Sequence, residues 1–356
     1  RIPVIWRRRS QSRTYDHMAL ELFLPFLIAT AILLAAPGPT ILLVLSYALA
    51  QGRGVLGAPG VLRGAPPPAG RGPVNKVQNG QTALVMMTAY DAPGAQMVTE
   101  AGADIILVGD SLAMVVLGYE DTLQVTIEDM VHHTSAVARA KPEAFIVADL
   151  PWMSYHVSTE ETVKNAAKLI RAGAKAVKLE GGQDRVAMVE AITNAEIPVM
   201  GHLGLTPQSI LALGGYKVQG RTTNAAVQLS YEAKALAHAG CFAIVLECVP
   251  SAVGKLVTDA VSIPTIGIGA GPDCDGQVLV FHDLLGINQE LQPKFVRTYA
   301  NIKEESIKAL SAFADDVRSG DFPSETESYQ ISDEEAEALG LYGSPLPKSE
   351  DPLASW

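Results

Sequence analysis

DIILVGDS, residues 104–111, is the stretch whose reading decides the fold. It is a short aliphatic run that stops on two polar residues, Asp110 and Ser111. The same design returns further along the chain. FIVADLP (145–151) delivers Asp149, AVKLEGG (176–182) delivers Glu180, PVMGHLG (198–204) delivers His202, and AIVLECV (243–249) delivers Glu247. If these runs are neighbouring parallel strands, five ionisable side chains meet at one rim. Working outward, ALVMMTAY (83–90), PTIGIGAG (264–271) and QVLVFHDLLG (277–286) complete a set of eight candidate strands. Their Val/Ile/Leu runs are near-continuous rather than alternating, as expected of parallel strands covered on both faces.

Helical patterns separate the strands, and their ends are legible. Ser158 and Glu161 read as a capping box before Val163, Ala166, Ala167 and Ile170, and Thr126 with Asp129 opens another helix. Gly102, Gly173 and Gly240 each stand where a helix ends just ahead of a strand. Eight strands alternating with helices over about 205 residues predict one (β/α)8 barrel. A doubly wound open sheet is the alternative, but it needs a glycine-rich phosphate turn after its first strand, and TAYDAPGA (88–95) has no GxGxxG. Residues 293–316 read as a closing helix with Phe295, Ile302, Ile307, Leu310 and Phe313 apolar, and the acidic stretch 317–356 as a mobile tail.

Composition narrows the function. Among 356 residues the net charge is −11, which argues against a general nucleic-acid binder. Three cysteines without a CxxC pair suit a reducing compartment, and the expected location is the cytoplasm. Residues 1–75 have a different texture. Residues 22–50 hold no charged side chain and are long enough to span a membrane, although Pro37 and Pro39 would kink such a helix. Residues 52–73, rich in Gly, Pro and Arg, read as a linker. Residues 18–53 resemble the start of a LysE/RhtB-type amino-acid exporter, over about one helix of a multi-helix family. A membrane anchor and a targeting leader are two readings of residues 1–75. The favoured one is a foreign segment joined upstream of a barrel that occupies 76–316.

At the C-terminal ends of barrel strands, where catalytic groups sit, Asp110, Asp149, Glu180, His202 and Glu247 lie round one mouth. Four converging carboxylates repel unless a cation joins them or some are protonated. An all-oxygen set points to a hard ion, Mg2+ by default. Lys178, two residues before Glu180 on its strand, faces the same side as Glu180. A single strand-end acid is often only a helix cap or turn residue; four acids and a histidine on five consecutive strands are hard to explain so.

These residues lie within a larger set of motifs: TAYD (88–91), VGDSLAM (108–114), ADLPWMSY (148–155), VKLEGG (177–182), GHLGLTPQS (201–209), GGYKVQGR (214–221), VLECVP (245–250) and IPTIGIGAG (263–271). Together they resemble the ketopantoate hydroxymethyltransferase family over about residues 76–316. Gln124 departs from a proline of the family pattern, in a loop. The resemblance implies a (β/α)8 barrel of the phosphoenolpyruvate/pyruvate type and transfer of a hydroxymethyl group from 5,10-methylenetetrahydrofolate to 3-methyl-2-oxobutanoate, in pantothenate synthesis. It implies Asp110, Asp149 and Glu180 as Mg2+ ligands and Asp110, Ser111, Asp149 and Lys178 as the residues that hold the 2-oxo acid. Glu247 is then the proton acceptor and His202 a supporting polar group. It also implies a homo-oligomer, often a decamer of pentameric rings. A second reading keeps the fold and changes the chemistry to that of the phosphoenolpyruvate mutase and isocitrate lyase barrels, but their KKCGH-type cysteine loop is missing from this sequence. The glycines of GIGAG (267–271) read as a tight turn, the pair His132–His133 as solvated or core residues, and GGYKVQGR as a loop over the rim.

Overall fold

The computed structural model describes residues 82–288 and 293–341. Residues 1–75 therefore lie outside the described residues, and with them the apolar stretch 22–50 and the linker. Among the described residues no helix is long and apolar enough to cross a membrane.

Eight parallel strands close into a barrel in chain order. They are β1 (Leu84–Thr88), β2 (Ile105–Val108), β3 (Phe145–Asp149), β4 (Ala176–Glu180), β5 (Val199–Gly204), β6 (Ala243–Glu247), β7 (Thr265–Ile268) and β8 (Gly276–Leu279), with β1 pairing β8 through Leu84 and Gly276. Long helices fill the crossovers: α1 (Ala92–Glu100), α3 (Ile127–Arg139), α4 (Thr159–Ala172), α5 (Val186–Asn194), α7 (Thr223–His238) and α8 (Ser251–Ala260). Two single turns follow strand ends, α2 (Leu112–Val115) after β2 and α6 (Ile210–Leu213) after β5. The expected barrel is thus the observed one, and every candidate strand contains a real strand.

The helix starts follow from the caps read in the sequence. Thr126 and Asp129 form a complete capping box on α3. On α4 only one arm forms, the Glu161 amide donating to Ser158 Oγ at 3.1 Å. Gly173 ends α4 in the left-handed region at φ 115°, where a side chain would be strained.

Side-chain parity splits the interior into two layers. Leu84, Met86, Ile105, Leu107, Val147, Ala176, Met200, Val245, Ile266 and Val278 fill the barrel. Their neighbours one position along, among them Ile106, Ile146, Val177, Leu179, Val199, Ile244 and Leu246, pack outward under the helices. Inward positions on β4 therefore run Ala176, Lys178, Glu180. The apolar filling gives way to charge at the strand's C-terminal end.

Two expectations are corrected. QVLVFHDLLG is not one strand: β8 stops at Leu279, and Phe281–Leu284 forms a short helix, α9. The Phe281 amide leaves the ladder to donate to Thr88 Oγ1 at 2.9 Å. The helix expected over 293–316 begins only at Ile302 and runs to Ser319 as α10. It does not close the barrel with its apolar side, because Ile307, Leu310 and Phe313 stay exposed and none of its residues is buried. Beyond it, Asp333–Ala338 forms a further helix, α11, capped by Ser332, with Ala336 buried.

Candidate active site

The acidic residues reach the barrel mouth by the parity just described. Asp149 follows Val147 by two positions, Lys178 and Glu180 follow Ala176, His202 follows Met200, and Glu247 follows Val245. Strand register then sets them side by side: Asp149 is level with Lys178, Glu180 with His202, and Gly204 with Glu247. Asp110 lies two residues past the end of β2, at the turn into α2. That turn needs a glycine. A Cβ on Gly109 would stand 2.8 Å from Ser111 Oγ, so a side chain there would displace the serine hydroxyl from its place beside the acids. A second glycine is equally constrained: Gly204, at φ 93°, faces the Glu247 carbonyl so closely that any Cβ would collide with it.

Contacts link the ionisable groups into one network. The Asp110 amide donates to Asp149 Oδ2 at 3.0 Å. Lys178 Nζ lies 3.0 Å from Asp149 Oδ1 and 3.3 Å from His202 Nδ1. His202 Nδ1 is 3.3 Å from Glu180 Oε1, and its Nε2 is 3.2 Å from Glu247 Oε2. Ser111 stands at the edge of this group, its hydroxyl 2.9 Å from Tyr90 Oη and unused as a helix cap. Asp110, Asp149, Lys178, Glu180 and His202 are all buried, while Glu247 keeps 16% of its side chain exposed. None of these acids caps a helix with its side chain, so the structural explanation for a strand-end acid does not apply to them.

The electrostatics show which acids are compensated. Burial pushes the Asp110 carboxyl well up, and the neighbouring Asp149 and Glu180 push it further. Burial also raises Asp149, partly offset by Lys178. For Glu180 burial acts upward too, but His202, Lys178 and the Gln208 amide outweigh it and leave the carboxyl lowered. His202 is drawn down by burial and by Lys178, yet its acidic contacts win and raise it to about 9. Lys178 is raised in the same way, the surrounding carboxylates overcoming its burial.

At neutral pH the mouth holds two cations, Lys178 and His202, against four carboxyl groups. Lys178 serves Asp149 and His202 serves Glu180 and Glu247. Among the described residues no basic side chain stands within ion-pair distance of Asp110. Asp149 Oδ1 is buried and, despite its nearness to Lys178, lacks hydrogen-bond geometry to any partner.

Asp110, buried and without an ion pair among the described residues, stands beside Asp149, and such a pair of carboxylates is a suitable seat for a hard divalent cation, which takes one or two carboxylates and fills its shell with water and substrate oxygens. No three His, Cys, Asp or Glu side chains among the described residues already form a ligand group. The reason is visible at Glu180, whose two oxygens are turned toward His202 and toward the Gln208 amide at 3.0 Å.

Three residues of the mouth were not singled out from the sequence. Gln208, Tyr155 and Tyr90 are buried and hydrogen-bonded to the acids, to their backbone or to Ser111. All three lie inside quoted motifs, GHLGLTPQS, ADLPWMSY and TAYD. The missed signal was a polar residue just past a strand end. The His pair on α3 takes its expected bland role: His133 Nδ1 meets the Tyr90 carbonyl at 2.7 Å, and His132 is exposed. GGYKVQGR does cross the rim, with Tyr216 Oη 3.8 Å from Met114 Sδ on α2.

The sequence model of the ketopantoate hydroxymethyltransferase family matches residues 73–325. The 3-methyl-2-oxobutanoate hydroxymethyltransferase of Moorella thermoacetica is 56% identical over 248 residues, covering 69% of this chain and 92% of that protein. The enzyme of the same name from Ignicoccus hospitalis is 56% identical over 252 residues, covering 71% and 95%. Among solved structures, phosphonopyruvate hydrolase in complex with oxalate and Mg2+ is a distant likeness, at TM-score 0.47 and 15% identity, covering 72% of this chain and 90% of that one.

Proposed function

The chain belongs to the ketopantoate hydroxymethyltransferase family, and from that premise we infer that it transfers a hydroxymethyl group from 5,10-methylenetetrahydrofolate to 3-methyl-2-oxobutanoate. The products are 2-dehydropantoate, a pantothenate precursor, and tetrahydrofolate, with one water consumed. The observation that carries the site assignment is the single hydrogen-bonded and ion-paired network of Asp110, Asp149, Lys178, Glu180, His202 and Glu247 at the mouth.

Asp110 and Asp149 would hold Mg2+, with Glu180 bordering the same site through His202 and Gln208. When bound, Mg2+ supplies Lewis-acid stabilisation of the negative charge that develops on the 2-oxo acid. The chain's own residues do the rest. Ser111, steadied by Tyr90, is a hydroxyl donor for the substrate carboxylate. Lys178 is a fixed cation in a dry site, where its attraction for an enolate oxygen is far stronger than in water. Glu247 takes the C3 proton. It is the least buried acid of the network, so it can exchange that proton with solvent. His202 Nε2, 3.2 Å from Glu247 Oε2, sets a positive charge beside that carboxylate. The water consumed supplies the hydroxyl oxygen. Its addition to the folate methylene breaks both carbon–nitrogen bonds and releases tetrahydrofolate and formaldehyde. The carbon nucleophile adds to that carbonyl carbon, and the resulting alkoxide takes up the proton lost from C3.

The apolar stripe of α10 supports the expected homo-oligomer, and three free cysteines suit the cytoplasm. The test is turnover of 3-methyl-2-oxobutanoate by the full chain with the folate and Mg2+, followed by formation of 2-dehydropantoate. Absence of product, with the chain folded, would refute the activity.

A further inference from the structure

We infer that Gln208 is a positioning residue which fixes Asp110 in the orientation that metal and substrate need. The inference rests on the functional reading above. Gln208 is carried by the turn Pro207–Ser209 after β5 and is buried, with 4% of its surface exposed. All its polar groups are used. Nε2 donates to Asp110 Oδ2 at 2.8 Å and to the Leu150 carbonyl at 3.0 Å. Oε1 accepts from Tyr155 Oη at 2.7 Å. The backbone amide donates to Glu180 Oε2 at 3.0 Å. One residue thus ties together the loops after β2, β3, β4 and β5.

The amide can sit only one way round. Reversing it would set its oxygen against the Asp110 carboxylate and the Leu150 carbonyl, which have no hydrogen to give, and its nitrogen against Tyr155. Tyr155 enforces this choice. Its hydroxyl accepts from the Glu180 amide at 3.2 Å and has two acceptors for its proton, Gln208 Oε1 at 2.7 Å and the Glu180 carbonyl at 3.3 Å, of which Gln208 is much the nearer. The Tyr155 loop is pinned in turn by Asn165 on α4, whose Nδ2 donates to the Ser154 carbonyl at 2.8 Å.

Two consequences follow for the site. Asp110 Oδ2 already accepts one hydrogen bond, which fixes the plane of the carboxylate and so the direction in which Oδ1 and the remaining lone pair of Oδ2 face. Asp110 also stays in place without an ion pair of its own, held by an uncharged donor that does not cancel its charge. A lysine at position 208 would hold the carboxylate and neutralise it. A glutamate would repel it. A glutamine alone orients the acid and leaves its charge for the ligand.

The experiment compares the full chain with Gln208→Met, a close match in volume that has no hydrogen bonds to give, and with Tyr155→Phe, which removes only the hydroxyl that sets the amide. Mn2+ serves as the paramagnetic probe, titrated by EPR, alongside KM and kcat for the 2-oxo acid and the melting temperature. Gln208→Met is expected to weaken Mn2+ binding about 10–100-fold and to raise KM as well as lower kcat. Tyr155→Phe is expected to move the same quantities in the same direction by less. Unchanged Mn2+ affinity and KM in Gln208→Met, with only a lower melting temperature, would overturn the inference and leave Gln208 a structural residue. Should that variant not fold, unchanged Mn2+ affinity and KM in Tyr155→Phe overturn it instead. If the unaltered chain binds no Mn2+, the metal reading fails first and this inference with it. Normal binding there but no effect in the variants sinks this inference alone.

Discussion

Glu247 differs from the other acids of the mouth in having an edge open to water. A proton acceptor must give its proton back, and a fully enclosed carboxyl cannot do so readily. Glu247→Gln keeps the shape and removes the base. It is expected to bind 3-methyl-2-oxobutanoate but to slow deuterium wash-in at C3 by at least about 100-fold, followed by NMR. Wash-in at the normal rate would take the role from Glu247. Lys178 supports structure as well as the proposed chemistry. Lys178→Met strands Asp149 as a buried acid, and a cost of roughly 3–5 kcal/mol is expected in urea unfolding. A stability equal to that of the unaltered chain would show that Asp149 is compensated elsewhere.

His202 gives a pH signature. Its folded value, about 9, lies above its ordinary 6.5. Its contribution is therefore whole below pH 6.5, falls as pH rises toward 9, and is lost above that. The urea midpoint of the unaltered chain should fall relative to His202→Asn across that window, and parallel curves would count against the assignment.

At the scale of elements, the caps and the barrel strands explain why so much could be read in advance. Thr126 and Asp129 announce α3 because their side chains replace the amide partners that a helix start lacks. Thr126→Ala is expected to cost about 1 kcal/mol, or roughly 2–4 °C in melting temperature for a barrel of this size. A shift near zero would mean that packing alone sets the end of α3. The two misread elements fail for physical reasons. QVLVFHDLLG carries six apolar side chains in ten residues, and periodicity alone does not separate a buried strand from a buried helical turn. Only the tertiary bond from the Phe281 amide to Thr88 ends the strand there. The stripe on α10 was read as core because apolar side chains at helical spacing usually face the same chain's interior.

For the molecule as a whole, the excess of acid over base at the mouth links stability to cation binding. Added Mg2+ should raise the melting temperature, since a ligand at 100 times its Kd contributes about 2.7 kcal/mol. Asp110→Asn should melt no lower than the metal-free chain and gain little from Mg2+; an undiminished gain would place the ion elsewhere. The sequence was enough to bring the named acids to one rim, because a parallel barrel puts every strand's C-terminal end there. It did not show which acid is held by an uncharged donor instead of an ion pair. That depends on Gln208, a residue 98 positions from Asp110 in the chain and joined to it only by folding. The alternation along β4 carries a last consequence. Ala176, Lys178 and Glu180 share the lumen only while the chain keeps its count, so gaining or losing one residue inside this strand would turn Val177 and Leu179 toward the substrate and drive a lysine and a glutamate under the helices. This five-residue strand therefore admits exchanges of side chain but no change of length.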